Sequence, residues 1–489
     1  MKSERQMPAT YEYGNLIGGQ WLPGEGERFA TFNPARPEET VGRYSPASVA
    51  DVQKALEAAA TAQQAWARVP PVERGVIVGK FVAALEARAE TVAVAITREQ
   101  GKPLAESFGE IAKACAESRF MIGEAARSHG AAMPSARPGF CNMVVRRPRG
   151  VIAALTPWNF PVMTPMRKLV PALVFGNAVI LKPSEFTPAA AALLGEAARG
   201  ILPDGLLQVV NGMAATGQAL VSASGIDGIA FTGSVPVGKQ IYAEAARNLA
   251  EVALELGGKN AAIVNDVLDM DDCLDQIVGA AYQCAGQRCT GISRVIVSKP
   301  LEVRVLDGLA ARARRQVLGD GMRTGVTMGP LTNATQMKKV DALVQAGITE
   351  GARLLAGGAP AQVAGASSGY FYQPTILADV RPAMRVATEE IFGPVISVLS
   401  YDTLDEALDI LNGVEFGLTS ALFSNDYPTI QRFLAESRNG MLHVNHGTVP
   451  ESHMPFGGIK NSGVGAYSVG PSAINFFTTE HAVYIKAQQ

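Results

Sequence analysis

The sequence predicts an α/β fold built from two doubly wound lobes, and three observations predict it. Over residues 178–264, the short apolar runs AVILK, LLQVV, GIAFTG and VALELGG are separated by Ala-rich segments of helix length. A second alternating stretch passes through a helix around 270–283, RVIVS at 294–298, a helix at 301–317, ISVLSY, a helix at 404–412 and ALFS at 421–424. Such alternation belongs to parallel sheets covered by helices. Composition agrees: 47% of the 489 residues are apolar and 18% charged, enough to build large cores, and 50 glycines and 29 prolines supply turns. A chain of this length is expected to hold two or three domains.

The elements follow in order. Residues 48–127 read as helices: SVADVQKALEAAATAQQAWA starts at a Ser48 N-cap, a second starts near Pro71, and a third covers LAESFGEIAKACAESRFMIGEAA. PSARPGFCNMVVRRPRGVIAAL sets short β-rich runs between prolines and glycines, a hairpin or ribbon. AGGAPAQVAGASSG, residues 356–369, reads as a surface excursion, and no internal repeat is visible.

Several classes of function are disfavoured. With 43 basic and 45 acidic residues the net charge is −2, so no nucleic-acid partner is expected. The five cysteines are an odd, scattered set, which argues for a reducing compartment, by default the cytoplasm. The start, MKSERQMPATYEYG, lacks the apolar core of a signal peptide. The run LVPALVFGNAVIL, 169–181, is bounded by Lys168 and Lys182 and falls short of the roughly 20 residues a bilayer needs, so no membrane partner is expected.

Candidate chemistry begins with GSVPVGK, 233–239, one hydroxyl short of a phosphate-binding loop because Gln240 stands where Ser or Thr would bind Mg²⁺. An anion held at the following helix N-terminus and a bare strand-to-helix turn both fit it; NTP hydrolysis is disfavoured. GASSG, 365–369, matches a nucleophile pattern, yet Ser367 sits in a loop of small residues and reads as inert. His443, His446 and His453 crowd one segment without metal-ligand spacing, and no metal is expected. Cys289 differs: in QCAGQRCTG, glycines let the backbone approach a ligand and small neighbours leave the sulfur accessible. Cys115, Cys273 and Cys284 read as buried hydrophobes, although Cys284, five residues before Cys289, could also form a redox pair with it. A cysteine nucleophile needs a base and an oxyanion donor. Glu255 ends an apolar strand, a costly place for a charge without a task, and Asn159 is held between two prolines in TPWNFP.

Taken together, TPWNFP, LKPSE, FTGS, LELGGK, GQRCT, EEIFGP and MPFGGIKNSG occur in the order of the aldehyde dehydrogenase superfamily. The chain resembles that family from LIGGQW, near residue 16, to its C-terminal segment. The resemblance implies Cys289 as nucleophile, Asn159 with the Cys289 N–H as oxyanion donors, and Glu255 as the base that activates water. It implies a nicotinamide dinucleotide, NAD with NADP also possible, bound by a Rossmann-like sheet without GxGxxG. Lys182 and Glu185 match residues at the adenosine ribose, Ser234 the pyrophosphate site, and Glu390 and Phe392 the nicotinamide ribose. Thr156, Trp158, Ser184, Gly233 and Gly257 complete the expected cofactor set. Glu185 favours NAD, because a carboxylate bonds a 2′-hydroxyl and repels a 2′-phosphate.

The resemblance implies a small-molecule aldehyde as substrate, with Arg167, His446 and Thr448 as expected binding residues. Arg167 stands where relatives acting on succinic or 2-oxoglutarate semialdehyde also have arginine, so an ω-oxo acid is expected; lactaldehyde-type relatives share it. The alternative for Arg167 is a structural pair with an acidic neighbour. Pro450 replaces a serine of the succinic semialdehyde pattern, and Glu451 would oppose an acidic substrate if it pointed inward. Glu255 favours hydrolysis over thiolysis by coenzyme A. The implied domains are 11–126 with 148–256 for the dinucleotide, 257–465 for catalysis, and 127–147 with 466–489 as a β-ribbon oligomerisation arm. A homodimer or homotetramer follows. A non-catalytic dinucleotide-binding protein is the remote alternative, against which all three catalytic residues stand.

Overall fold

A computed structural model describes residues 10–24, 26–127 and 130–487. The polar start over 1–9, and residues 128–129 of the expected arm, lie outside the described residues. The helical region opens as the sequence implies. Ser48 caps Val49–Trp66 in a reciprocal box with Asp51, and Pro71 occupies the first turn of Pro71–Glu86. The third expected helix is Leu104–Gly123. A further helix, Ala89–Gln100, stands between them; Gly101 ends it at φ +99°, a conformation that costs glycine little.

The first lobe is an eight-stranded sheet. Its core runs Glu251–Glu255, Gly228–Thr232, Val151–Leu155, Ala178–Lys182 and Leu207–Val209, all parallel. These strands are buried on both faces, which is why they read as unbroken apolar runs rather than alternating ones. The chain enters at Val151–Leu155, winds outward through Ala178–Lys182 and Leu207–Val209, then crosses to the other side. That reversal opens a crevice beyond the carboxyl ends of Val151–Leu155 and Gly228–Thr232, the usual ligand position in such sheets. Asn15–Ile17 and Gln20–Leu22 extend one edge, and Gly463–Val464 closes the other beside Glu251–Glu255. The last pairing takes a piece of the span expected for the second lobe back to the first.

The second lobe has seven strands in the order Arg353–Ala356, Thr375–Ala378, Val395–Tyr401, Arg294–Ser298, Ala261–Asp266, Thr419–Ser424 and Met441–Val444, parallel except for the first. Two separate apolar cores correspond to the two sheets. A three-stranded ribbon stands apart, with Phe140–Pro148 between Ala131–Met133 and the C-terminal Thr478–Lys486. Ser367 is exposed among turns, with no strand leading into a helix there. Part of its loop does pack: Ala366 meets Ala35 and Phe371. Among the described residues no helix is long and apolar enough to cross a membrane.

Candidate active site

The crevice of the first sheet leads into a cavity of about 280 Å³ whose walls come from both lobes. Cys289, Glu255 and Asn159 all line it.

Cys289 lies in a tight turn. Gly286 is at φ +70°, and a Cβ there would sit 2.1 Å from the Gly393 carbonyl, so only glycine lets the two segments approach. Asn260 Nδ2 donates to the carbonyls of Cys289 (2.6 Å) and Gly291 (2.9 Å) and fixes the far side of the turn. No described residue accepts a hydrogen bond from the Cys289 N–H. Asn159 follows the strand Val151–Leu155; its Nδ2 donates to the Gln287 carbonyl at 2.8 Å, which leaves the second amide hydrogen for another acceptor.

The Asn159 backbone is held by a buried ion pair that the sequence reading missed. Lys102 Nζ donates to the Asn159 carbonyl (2.6 Å) and to Glu110 (2.8 Å). The other Glu110 oxygen accepts the N–H groups of Val162 (2.7 Å) and Met163 (3.0 Å), where the helix Met163–Val174 begins. A sequence signal for it existed: Glu106, Glu110, Lys113 and Glu117 share one helix face, charged where a buried helix should be apolar.

Glu255 ends its strand at the crevice. Its Oε2 accepts from Thr232 Oγ1 (2.9 Å), which in turn accepts from Lys168 Nζ (2.8 Å). Its Oε1 is buried with no hydrogen-bond partner among the described residues. An unpaired buried carboxylate oxygen is costly, and a water held against it would relieve that cost and be polarised by it.

The thiol of Cys289 is pushed up to about 11, first by burial and then by the Glu255 carboxylate, with Arg167 and Arg288 pulling it back. Below that value the sulfur stays protonated in the ligand-free protein. Iodoacetamide labelling of the Cys289 peptide, followed by mass spectrometry, is therefore expected to accelerate roughly tenfold per pH unit between pH 7 and 10. A plateau below pH 8 would contradict this environment. Cys284 is deeply buried, accepts from Gln100 Nε2 at 3.2 Å and is pushed up to about 12 by burial, as a structural thiol should be.

Trp158, Gly233, Ser234, Gly257, Glu390 and Phe392 also line the cavity. Trp158 meets Phe392 edge-on at 5.5 Å. Glu390 accepts the Gly258 N–H at 2.9 Å, and burial pushes its carboxyl up. A Cβ on Gly257 would sit 2.4 Å from the Glu390 carboxylate, so the strand end is bare where that side chain crosses it. Ser234 is the N-cap of Val235–Asn248 and makes no capping bond, which leaves its hydroxyl and the helix N–H groups available to an anion. The uncapped helix start fits a dinucleotide phosphate. Thr156, Lys182, Ser184 and Glu185 lie outside the cavity, around the neighbouring strand end. Thr156 N–H bonds the Lys182 carbonyl, Lys182 Nζ donates to Pro183, and Ser184 donates to Glu185.

The substrate wall departs from expectation. Arg167 lines the cavity, but its Nε and Nη2 form a fork with Glu117 at 2.6 and 2.8 Å. The structural pair considered for it is therefore present. His446 and Thr448 do not line the cavity; Val449 and Pro450 do. His446 is exposed, edge-on to His443, with Nδ1 against the Gly447 carbonyl; Thr448 turns inward to donate to the Thr290 carbonyl at 2.5 Å. The loop has no regular period, so neighbouring side chains go to different surroundings.

The family model described as "Aldehyde dehydrogenase family" matches residues 21–483. An alpha-ketoglutaric semialdehyde dehydrogenase of Bacillus subtilis (strain 168) is 36% identical over 478 residues, 97% of this chain and 98% of that protein. A betaine aldehyde dehydrogenase of Cereibacter sphaeroides (strain ATCC 17029 / ATH 2.4.9) is 36% identical over 484 residues, 98% of each chain. The crystal structure of an NAD-dependent aldehyde dehydrogenase from Sinorhizobium meliloti superposes with a TM-score of 0.95 at 33% identity, covering 99% of this chain and 97% of that one. With the family model spanning nearly the whole chain, this protein belongs to the aldehyde dehydrogenase family.

Proposed function

We propose that this NAD(P)-dependent aldehyde dehydrogenase works through a thioester on Cys289 and takes an ω-oxo acid such as succinic or 2-oxoglutarate semialdehyde. The Cys289 thiol gives up its proton to solvent as the sulfur adds to the aldehyde carbon, and the oxyanion formed is stabilised by the second Asn159 amide hydrogen and the free Cys289 N–H. Trp158, Ser234, Glu390 and Phe392 would hold the nicotinamide dinucleotide, which would supply the acceptor for the hydride of that carbon. Glu255 takes a proton from a water at Oε1, the water adds to the acyl carbon, and the acid departs as that proton passes from Glu255 to the leaving Cys289 sulfur. Thr232 and Lys168 hold the other carboxylate oxygen and keep the base oriented.

The unpartnered Glu255 oxygen beside Cys289 is the observation that carries hydrolysis rather than transfer to coenzyme A. Substrate charge is carried by the wall: Arg167 lines it, with Lys113 and Arg288 beside it. Relatives named for 2-oxoglutarate semialdehyde or 2,5-dioxopentanoate, 36%, 34% and 35% identical, support the ω-oxo acid, while a betaine aldehyde relative, named for a cationic aldehyde, is also 36% identical. Glu185 supports NAD as the preferred acceptor. The five free cysteines support a reducing, cytoplasmic setting, and the exposed Tyr484 and Ile485 on the ribbon support a homodimer or homotetramer.

A steady-state panel with both cofactors tests this reading. Succinic and 2-oxoglutarate semialdehydes are expected to exceed butanal and betaine aldehyde at least tenfold in kcat/KM, with NAD above NADP and free acid as product with or without coenzyme A. Preference for the neutral or cationic aldehyde would overturn the substrate assignment.

A further inference from the structure

Among the cations around the cavity, Lys113 has a carboxylate neighbour that is already occupied by another cation. Lys102 pairs with Glu110 at 2.8 Å, Lys168 approaches Glu255 at 4.0 Å, and Arg167 pairs with Glu117 at 2.6 Å. Arg167 is fully engaged as a recognition group, because its fork is matched bidentately to Glu117 and its flat face lies 4.0 Å over the Phe456 ring. Arg288 spends its donors on neutral oxygens of Gln283, Thr290 and Thr448. Lys113 is in a different position. It lines the cavity from the helix Leu104–Gly123 and reaches Glu117 only at 3.8 Å, as second cation on a carboxylate already filled by Arg167. Its remaining contact is the backbone carbonyl of Pro450, on the loop that forms the opposite wall. Glu451, next along that loop, keeps its side chain 75% exposed.

We infer that Lys113, not Arg167, is the cation that receives the distal carboxylate of the substrate, and that Arg167 with Glu117 serves to hold Lys113 without neutralising it. This inference rests on the ω-oxo acid reading above. An ammonium half out of water, with two cations and one saturated carboxylate around it, is short of negative charge. Burial pulls Lys113 below its ordinary value, with Arg167 and Arg288 adding to that pull and Glu117 and Glu451 opposing it. A substrate carboxylate supplies the missing charge and makes a charge-assisted hydrogen bond in a partly desolvated site.

The test is Lys113→Met in the full-length enzyme with NAD, reading the ratio of kcat/KM for succinic semialdehyde over butanal, which have the same carbon chain length. The ratio is expected to fall about 10–100-fold, through KM, as for loss of one charge-assisted hydrogen bond. Lys113→Arg should restore at least part of it. Side-chain exposure of 23% makes a folding defect a minor concern, and an unchanged thermal midpoint checks it. A fall of less than tenfold while the wild-type enzyme prefers the semialdehyde overturns the role of Lys113 and leaves the substrate class standing. A wild-type enzyme that prefers butanal overturns the substrate class itself.

Discussion

A Glu255→Gln enzyme is expected to release one NADH per active site at close to the wild-type rate and then to slow by about 10²–10⁴-fold. The first half of the reaction needs the sulfur, the oxyanion donors and the hydride acceptor; Glu255 bears on it only through its charge, which raises the Cys289 thiol and which glutamine removes. The second half needs a proton taken from water, and Glu255 Oε1 is the buried acceptor placed beside Cys289 without another partner. Glutamine keeps an oxygen for the Thr232 hydroxyl but presents no base. Stopped-flow NADH absorbance separates the phases. A variant that turns over steadily at the wild-type rate would remove Glu255 from the mechanism; one that loses the burst would place it before the thioester.

Cys289→Ala is expected to lower NAD reduction by more than about 10⁴-fold, because no other described thiol lines the cavity and the covalent route disappears. Folding should survive, since a single sulfur is removed from a turn held by the Asn260 side chain. NAD should still raise the thermal midpoint of this variant, because ligand binding to the native state alone stabilises it. Loss of turnover with that stabilisation intact assigns the loss to chemistry.

The extent to which the sequence foretold these features follows from how local each one is. The sheet strands were legible because burial on both faces makes AVILK and GIAFT apolar throughout. Ser48 and Pro71 were legible because capping is decided within one turn. Asn159, Glu255 and Cys289 were legible because each sits in a short strand-end or turn motif whose composition is unusual by itself. Pairings across the chain left no such trace. Arg167 meets Glu117 from 50 positions away, and Lys102 reaches the Asn159 carbonyl across 57. Ala89–Gln100 was merged into its neighbours because its boundary depends on the backbone angle of one glycine. His446 and Thr448 fall outside the cavity lining for a related reason: an irregular loop has no period from which to read which side chain faces inward.

The central claim, a covalent acyl enzyme on Cys289, is tested most directly by mass spectrometry of Glu255→Gln after mixing with NAD and succinic semialdehyde and quenching in acid. The account predicts that the peptide containing Cys289 gains the succinyl acyl group in place of its thiol proton, in proportion to the NADH released. NADH release with an unmodified Cys289 peptide would contradict it.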